Sequence, residues 1–219
     1  MKIIKSFRKT LSMKFDNSWI LIIKAPYFTS DRTINNFIDK NKLWIDKTRN
    51  NLLEKIKVFD FWEKFFYLWN EYVLLSDLIS EKIKFDWLNF YLSNKHKNKI
   101  REKFLEFYKM ESSFYIKTKV LEIASVNKLN YNVIKITSAK TRWGSCTSKK
   151  NLNFSFRLIM APKSSIDYVI IHELSHLLEM NHSAKFRHNV STFFDRLDLW
   201  NYKDHQKWLK VNWNKLMYV

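Results

Sequence analysis

DYVIIHELSHLLEMNH, residues 167–182, decides the reading of this chain. It contains His172-Glu173-Leu174-Ser175-His176, with a third histidine, His182, six residues further on. In an α-helix, residues four apart lie about 40° apart around the axis and one turn along it, so the imidazoles of His172 and His176 converge on one tetrahedral ion. Glu173 lies about 100° round from His172, off that pair yet able to reach a water in the open coordination position, which suits a general base. His182 becomes the third ligand if the helix ends near Met180 and the chain turns back over the site. The spacing is that of HExxHxxGxxH, but Glu179 stands at the glycine position. Asn181 is therefore the residue expected to take a left-handed turn. Three imidazoles suit Zn²⁺, one ion per chain, although Mn²⁺, Co²⁺ and Ni²⁺ accept the same donors. The competing reading is ordinary histidines on an amphipathic helix. Against it, Ile170, Ile171, Leu174, Leu177 and Leu178 supply the apolar face without them.

Working outward, Pro162 suits the first turn of this helix, where its missing N–H costs nothing. Three short strands are expected before it, over 133–137, 141–147 and 152–160. Residues 94–127 have the spacing of one long helix or two abutting ones, carried by Ile100, Phe104, Phe107, Tyr108, Val120, Leu121, Ile123 and Ala124. FYLWNEYVLL, within 65–75, reads as a hairpin turning at Asn70-Glu71. A first hairpin over 10–25 turns at Asp16-Asn17-Ser18, its second strand running from Trp19 to Lys24 and closed by Pro26. Ser30 or Asp31 then caps a helix to about Arg49, with Ile34, Phe37, Ile38 and Trp44 on one face. The expectation is an α+β protein, with an N-terminal hairpin-and-helix subdomain over 1–90 and a core over 91–219 in which a small mixed sheet packs on the histidine helix.

A length of 219 residues supports one sizeable core with an appendage. A hydrophobic fraction of 46% and an aromatic fraction of 17% exclude a disordered chain. Cys146 is the only cysteine, so no intrachain disulfide can form. Lysines interrupt the start MKIIKSFRKTLSMKF, and no stretch approaches the ~18 apolar residues of a membrane span, so a cytoplasmic protein is expected. The net charge of +18 admits polyanion partners, nucleic acid or nucleotides among them. The rival is compositional drift, to which the scarcity of Arg beside Lys points, since bidentate phosphate clamps favour Arg.

Beyond the histidine motif, KTRWGSC (140–146), NLNFSFRLIMAP (151–162) and IDYVIIHELSHLLEMNHSAKF (166–186) resemble, in order and spacing, the core of the YgjP-like metallopeptidase family, relatives of the SprT-like zincins. RKTLSMKF, WILIIKAP and the helix ending in LWI resemble that family's N-terminal part, and the C-terminal YKDHQKWLK also fits. The resemblance implies a zincin-like fold, His172, His176 and His182 as zinc ligands, and Glu173 as catalytic base. Two departures stand out: Phe186-Arg187 occupies a position where the family tends to have an aromatic pair, and the aromatic load between Val58 and Trp87 is less family-like.

Gly144 is the only glycine, which argues for a bulge or close backbone approach beside the substrate, against a plain tight turn. Zincin folds lay an extended substrate along an edge strand, so Arg142, Trp143 and Gly144 are candidate groove residues, with core packing of Trp143 as the rival. Tyr168 or Arg142 could donate to an oxyanion. Cys146 reads as a neutral buried thiol, His188 as solvated, and Asp167 or Glu179 as a carboxylate that could orient a ligand imidazole. The function expected is hydrolysis of a peptide or protein by a Glu173-activated, zinc-bound water. The rivals are phosphoester or nucleotide hydrolysis at the same centre, a DNA-associated SprT-like protease module, and a silent metal-stabilised scaffold.

Overall fold

The computed structural model describes residues 1–16, 20–53, 58–197 and 201–217. They form a mixed α+β protein with two compact units, Met1–Ile56 and Lys57–Val219. The sequence reading had placed the division near residue 90. The strands between Lys64 and Ser93 instead share one core with the helices that follow, through Phe65, Leu74, Phe90 and Phe104.

In the first unit, β1 (Lys2–Ser6) pairs parallel with β3 (Leu21–Pro26), and β2 (Ser12–Phe15) pairs antiparallel with its other side. The expected hairpin is β2–β3; β1 lay outside the sequence reading, and most of the expected turn, with Trp19, lies outside the described residues. Ser30 caps α1 (Asp31–Lys40), its hydroxyl accepting from the Thr33 amide. One continuous helix was expected, but Asn41 interrupts it, its side-chain amide donating to the Phe37 carbonyl, before α2 (Lys42–Leu53). Ile34 and Ile45 are buried with Leu21, Ile23 and Ala25, whereas Trp44 is 44% exposed.

The second unit begins with a sheet ordered β4-β5-β7-β6, comprising β4 (Lys64–Tyr67), β5 (Asn70–Asp77), β6 (Lys84–Phe85) and β7 (Asn89–Ser93). The β4–β5 turn falls at Leu68-Trp69, earlier than the expected Asn70-Glu71. Both residues have positive φ, 49° and 71°. Two-residue hairpins demand that geometry and usually recruit Asn or Gly for it. Here tertiary contacts hold it: the Leu68 and Trp69 amides donate to the carbonyls of Ile159 and Met160, and Trp69 stacks on Phe66 and meets Trp208 edge to face.

A 3-10 turn (Asn94–Lys99) leads into the long α3 (Ile100–Val126). The three expected strands follow in shortened form: β8 (Ile134–Thr137), β9 (Gly144–Cys146) and β10 (Leu152–Ser155), ordered β8-β10-β9 with β9 at the edge. Residues expected to extend β10 make a buried 3-10 turn instead, Phe156–Met160. Then come α4 (Lys163–Ser175), α5 (Ala184–Arg196) and α6 (Tyr202–Met217). No helix among the described residues is long and apolar enough to cross a membrane.

Candidate metal centre and cleft

Val169, Ile170 and Ile171 are β-branched and give α4 little intrinsic helical preference. Burial supplies what propensity does not: Ile166, Ile170, Ile171 and Leu174 are fully buried, each worth about 1.5–3 kcal/mol relative to exposure. Pro162 precedes the helix as its N-cap, its carbonyl accepting from the Ser165 and Ile166 amides. The regular helix ends at Ser175, earlier than expected, and the amides of Leu177, Leu178 and Glu179 continue as tight turns onto Leu174 and Ser175. Leu178 therefore leaves the core and is 52% exposed. Asn181 is not among the residues with positive φ, so the chain returns to His182 without the expected left-handed step.

The structure brings His172, His176 and His182 together, with one ring nitrogen of each inside a 4.8 Å cluster. His172 Nε2 and His182 Nε2 are 3.1 Å apart. Zinc–nitrogen bonds of 2.0–2.1 Å in a tetrahedron place two ligand nitrogens about 3.3 Å apart, so this pair is spaced for a shared ion. His176 Nδ1 lies 3.1 Å from the Glu179 carbonyl oxygen. Donation from Nδ1–H there leaves Nε2 with its lone pair toward the cluster. Burial, reinforced by His176 and His182, pushes His172 down to about 4, so its imidazole is neutral at physiological pH. These donors fit a zinc ion on chemistry and spacing.

Phe186 on α5 underlies all three rings, at centroid distances of 4.9, 4.5 and 4.8 Å from His172, His176 and His182. Ser183 starts α5 by accepting from the Phe186 amide, and Arg187 Nη1 donates to the His182 carbonyl at 2.8 Å. The loop bearing His182 is thus tied to the helix that carries Phe186. Neither proposed orienting carboxylate plays that part: Asp167 accepts from the Tyr115 hydroxyl, and Glu179 engages His176 through its backbone.

Glu173 is only 6% exposed. Burial pushes its carboxyl up to about 8, opposed by a backbone hydrogen bond from Cys146 and by the charge of Arg142. A Cβ at Gly144 would sit 2.7 Å from Glu173 Cγ and Oε1. Gly144 has no positive φ, so it serves close approach rather than a turn. The Cys146 thiol, half-buried next to the same carboxylate, is pushed up to about 11 and stays neutral.

Beside Glu173 and His172 opens a cleft of about 370 Å³. Arg142, Trp143, Gly144 and Tyr168 all line it, so the candidate groove residues meet in one place. Trp143 also packs on the core. The opposite wall is α6, through Gln206, Leu209, Lys210 and Trp213, which the sequence reading missed. Their spacing of i, i+3, i+4 and i+7 marks one helical face and was the available signal.

The family model described as YgjP-like, metallopeptidase domain, matches residues 9–212. No curated protein matches the sequence. Two solved structures are similar to 44% of this chain. The metallopeptidase zymogen abylysin of Pyrococcus abyssi matches over 93% of its own chain, with 16% identity and a TM-score of 0.38. The metallopeptidase zymogen jannalysin of Methanocaldococcus jannaschii matches over 95% of its own chain, with 27% identity and a TM-score of 0.34.

Proposed function

The chain belongs to the YgjP-like metallopeptidase family, and from that premise we propose that this metal-dependent hydrolase is a zinc peptidase in which His172, His176 and His182 hold one zinc ion per chain and Glu173 is the general base. The observation that carries the reading is three convergent imidazoles beside a buried carboxylate at a cleft wall. His172, His176 and His182 would hold the zinc ion, which would supply Lewis-acid chemistry toward a carbonyl and a water. Glu173 accepts the proton of the attacking water on its carboxylate and passes it to the leaving amine. Burial raises the Glu173 carboxyl, the Cys146 backbone hydrogen bond and Arg142 oppose that rise, and the charge of a zinc ion held by the adjacent histidines would draw it further toward the ionised carboxylate that this role requires. Tyr168, whose hydroxyl burial pushes up to about 12, stays a neutral donor and can face the developing oxyanion from the cleft wall. β9, an edge strand, offers backbone groups to an extended peptide, and Gly144 leaves room for Glu173 behind it.

The test pairs metal content by elemental analysis, in wild type and His176→Ala, with hydrolysis of an unstructured protein and of a nucleoside triphosphate by wild type and Glu173→Gln. The expected result is about one zinc per chain, lost in the histidine variant, with proteolysis that depends on Glu173. Glu173-dependent cleavage of the triphosphate alone would move the assignment to a phosphohydrolase. Absence of bound metal from wild type would refute the centre itself.

A further inference from the structure

The cleft beside Glu173 is one part of a longer groove. A hollow of about 300 Å³ shares Arg142, Trp143 and Gly144 with it, and another of about 460 Å³ shares Tyr168, His172 and Gln206. The groove therefore runs from the edge of β9, past Glu173, to the loop bearing His182. Among the described residues its exposed charges have one sign: Arg142, Lys210, Arg187 and Lys203 line it, and the one lining carboxylate, Glu173, is buried in the wall. Among the described residues none of these four cations makes an ion pair, whereas Lys95 and Lys119 elsewhere do. Arg142 acts on Glu173 only at longer range. Between Arg142 and Lys210 the wall is apolar, with Trp143 and Trp213 meeting edge to face at 4.9 Å beside Leu209 and Val169.

We propose, resting on the peptidase reading, that the groove selects peptide segments in which a large apolar side chain is flanked by acidic residues, and that Lys210 and Trp213 of α6 are specificity-determining residues. An apolar side chain entering beside Glu173 is desolvated against Trp213 and Leu209. Its acidic neighbours meet Lys210 and Arg142, which have no competing ion pair to give up. A basic neighbour meets like charge, and such juxtapositions discriminate strongly because nothing offsets them. The two tryptophans close on each other edge to face instead of presenting parallel faces to successive bases, and the neighbouring element is a strand edge; both favour a peptide over single-stranded nucleic acid.

The experiment uses peptides identical except for Glu, Gln or Lys on either side of one Phe, and a set with that Phe replaced by Ala. Cleavage by wild type, Lys210→Glu and Trp213→Ala is read as ratios of kcat/KM, and binding of the fluorescein-labelled peptides to zinc-loaded Glu173→Gln is read by anisotropy. We expect wild type to favour the Glu peptide over the Lys peptide by about tenfold or more, and Lys210→Glu to shrink that ratio to a few-fold or invert it. Trp213→Ala should lower the Phe-over-Ala ratio severalfold while keeping the charge preference. Equal rates and equal binding for the Glu and Lys peptides overturn the proposal, as does a preference that survives Lys210→Glu intact. Displacement of the labelled Glu peptide by a single-stranded oligonucleotide at lower concentration than by unlabelled peptide would also overturn it, in favour of nucleic acid. If wild type cleaves no peptide while acid-selective binding persists, the peptidase reading fails and the groove assignment stands.

Discussion

At the scale of single residues, the contact between Gly144 and Glu173 is the most consequential in the chain. Proteins usually distribute glycines among turns, yet this one takes positive φ at Trp62, Leu68, Trp69, Trp87, Lys128, Lys150 and Asn201 without a glycine at any of them. The single glycine sits where any Cβ would strike the carboxylate proposed as general base. Gly144→Ala must displace that carboxylate, the neighbouring backbone being held in the β9–β10 ladder by pairing of Gly144 with Phe154. Peptide cleavage by this variant should fall about 10²-fold, in line with loss of a positioned base, while zinc content and thermal unfolding change little. Loss of zinc together with activity would place Gly144 in the support of the metal centre instead. The motif spacing and the rarity of glycine were legible in the sequence because both are local facts. The identity of the atom that excludes a Cβ was not, because Gly144 and Glu173 are far apart along the chain.

At the scale of elements, α4 packs a charged residue against α3. Burial pushes the Asp167 carboxyl up to about 6, opposed by Lys119, by the Tyr115 hydroxyl and by Lys163, with Glu122 adding to the rise. A carboxyl whose pKa is higher folded than unfolded binds more protons in the native state between the two values. Its contribution is complete below about pH 4 and is lost as pH rises through about 6, a loss of up to ~3 kcal/mol. Asp167→Asn should therefore be more stable than wild type at pH 7 by about 1–3 kcal/mol, and the difference should vanish near pH 4, as measured by urea denaturation across that range. A constant difference at all pH values would show that Asp167 is solvated. Helix α4 itself could be anticipated from its histidine spacing and Pro162. The turn at Leu68-Trp69 could not, because its amides bond the carbonyls of Ile159 and Met160, and that tertiary contact overrode local propensity.

At the scale of the whole molecule, the chain carries a net charge of +18, and among the described residues the exposed charges that line the groove are all positive. Long-range attraction should then raise the association rate of acidic peptides. Their kcat/KM is expected to fall severalfold as ionic strength rises from about 0.05 to 0.5 M, while a neutral peptide of the same length changes less than twofold. Equal salt responses would assign the charge to composition alone. The sequence by itself determined the α+β class, the histidine triad with its adjacent carboxylate, and the cleft-lining residues Arg142 to Gly144, since each rests on a local stretch of sequence. Only the tertiary structure decided that α6 walls the cleft, that Phe186 underlies the three imidazoles and that the strands between Lys64 and Ser93 belong to the second unit. Those are contacts between distant segments, chosen by the burial of apolar surface, and burial depends on which faces meet after every element has formed.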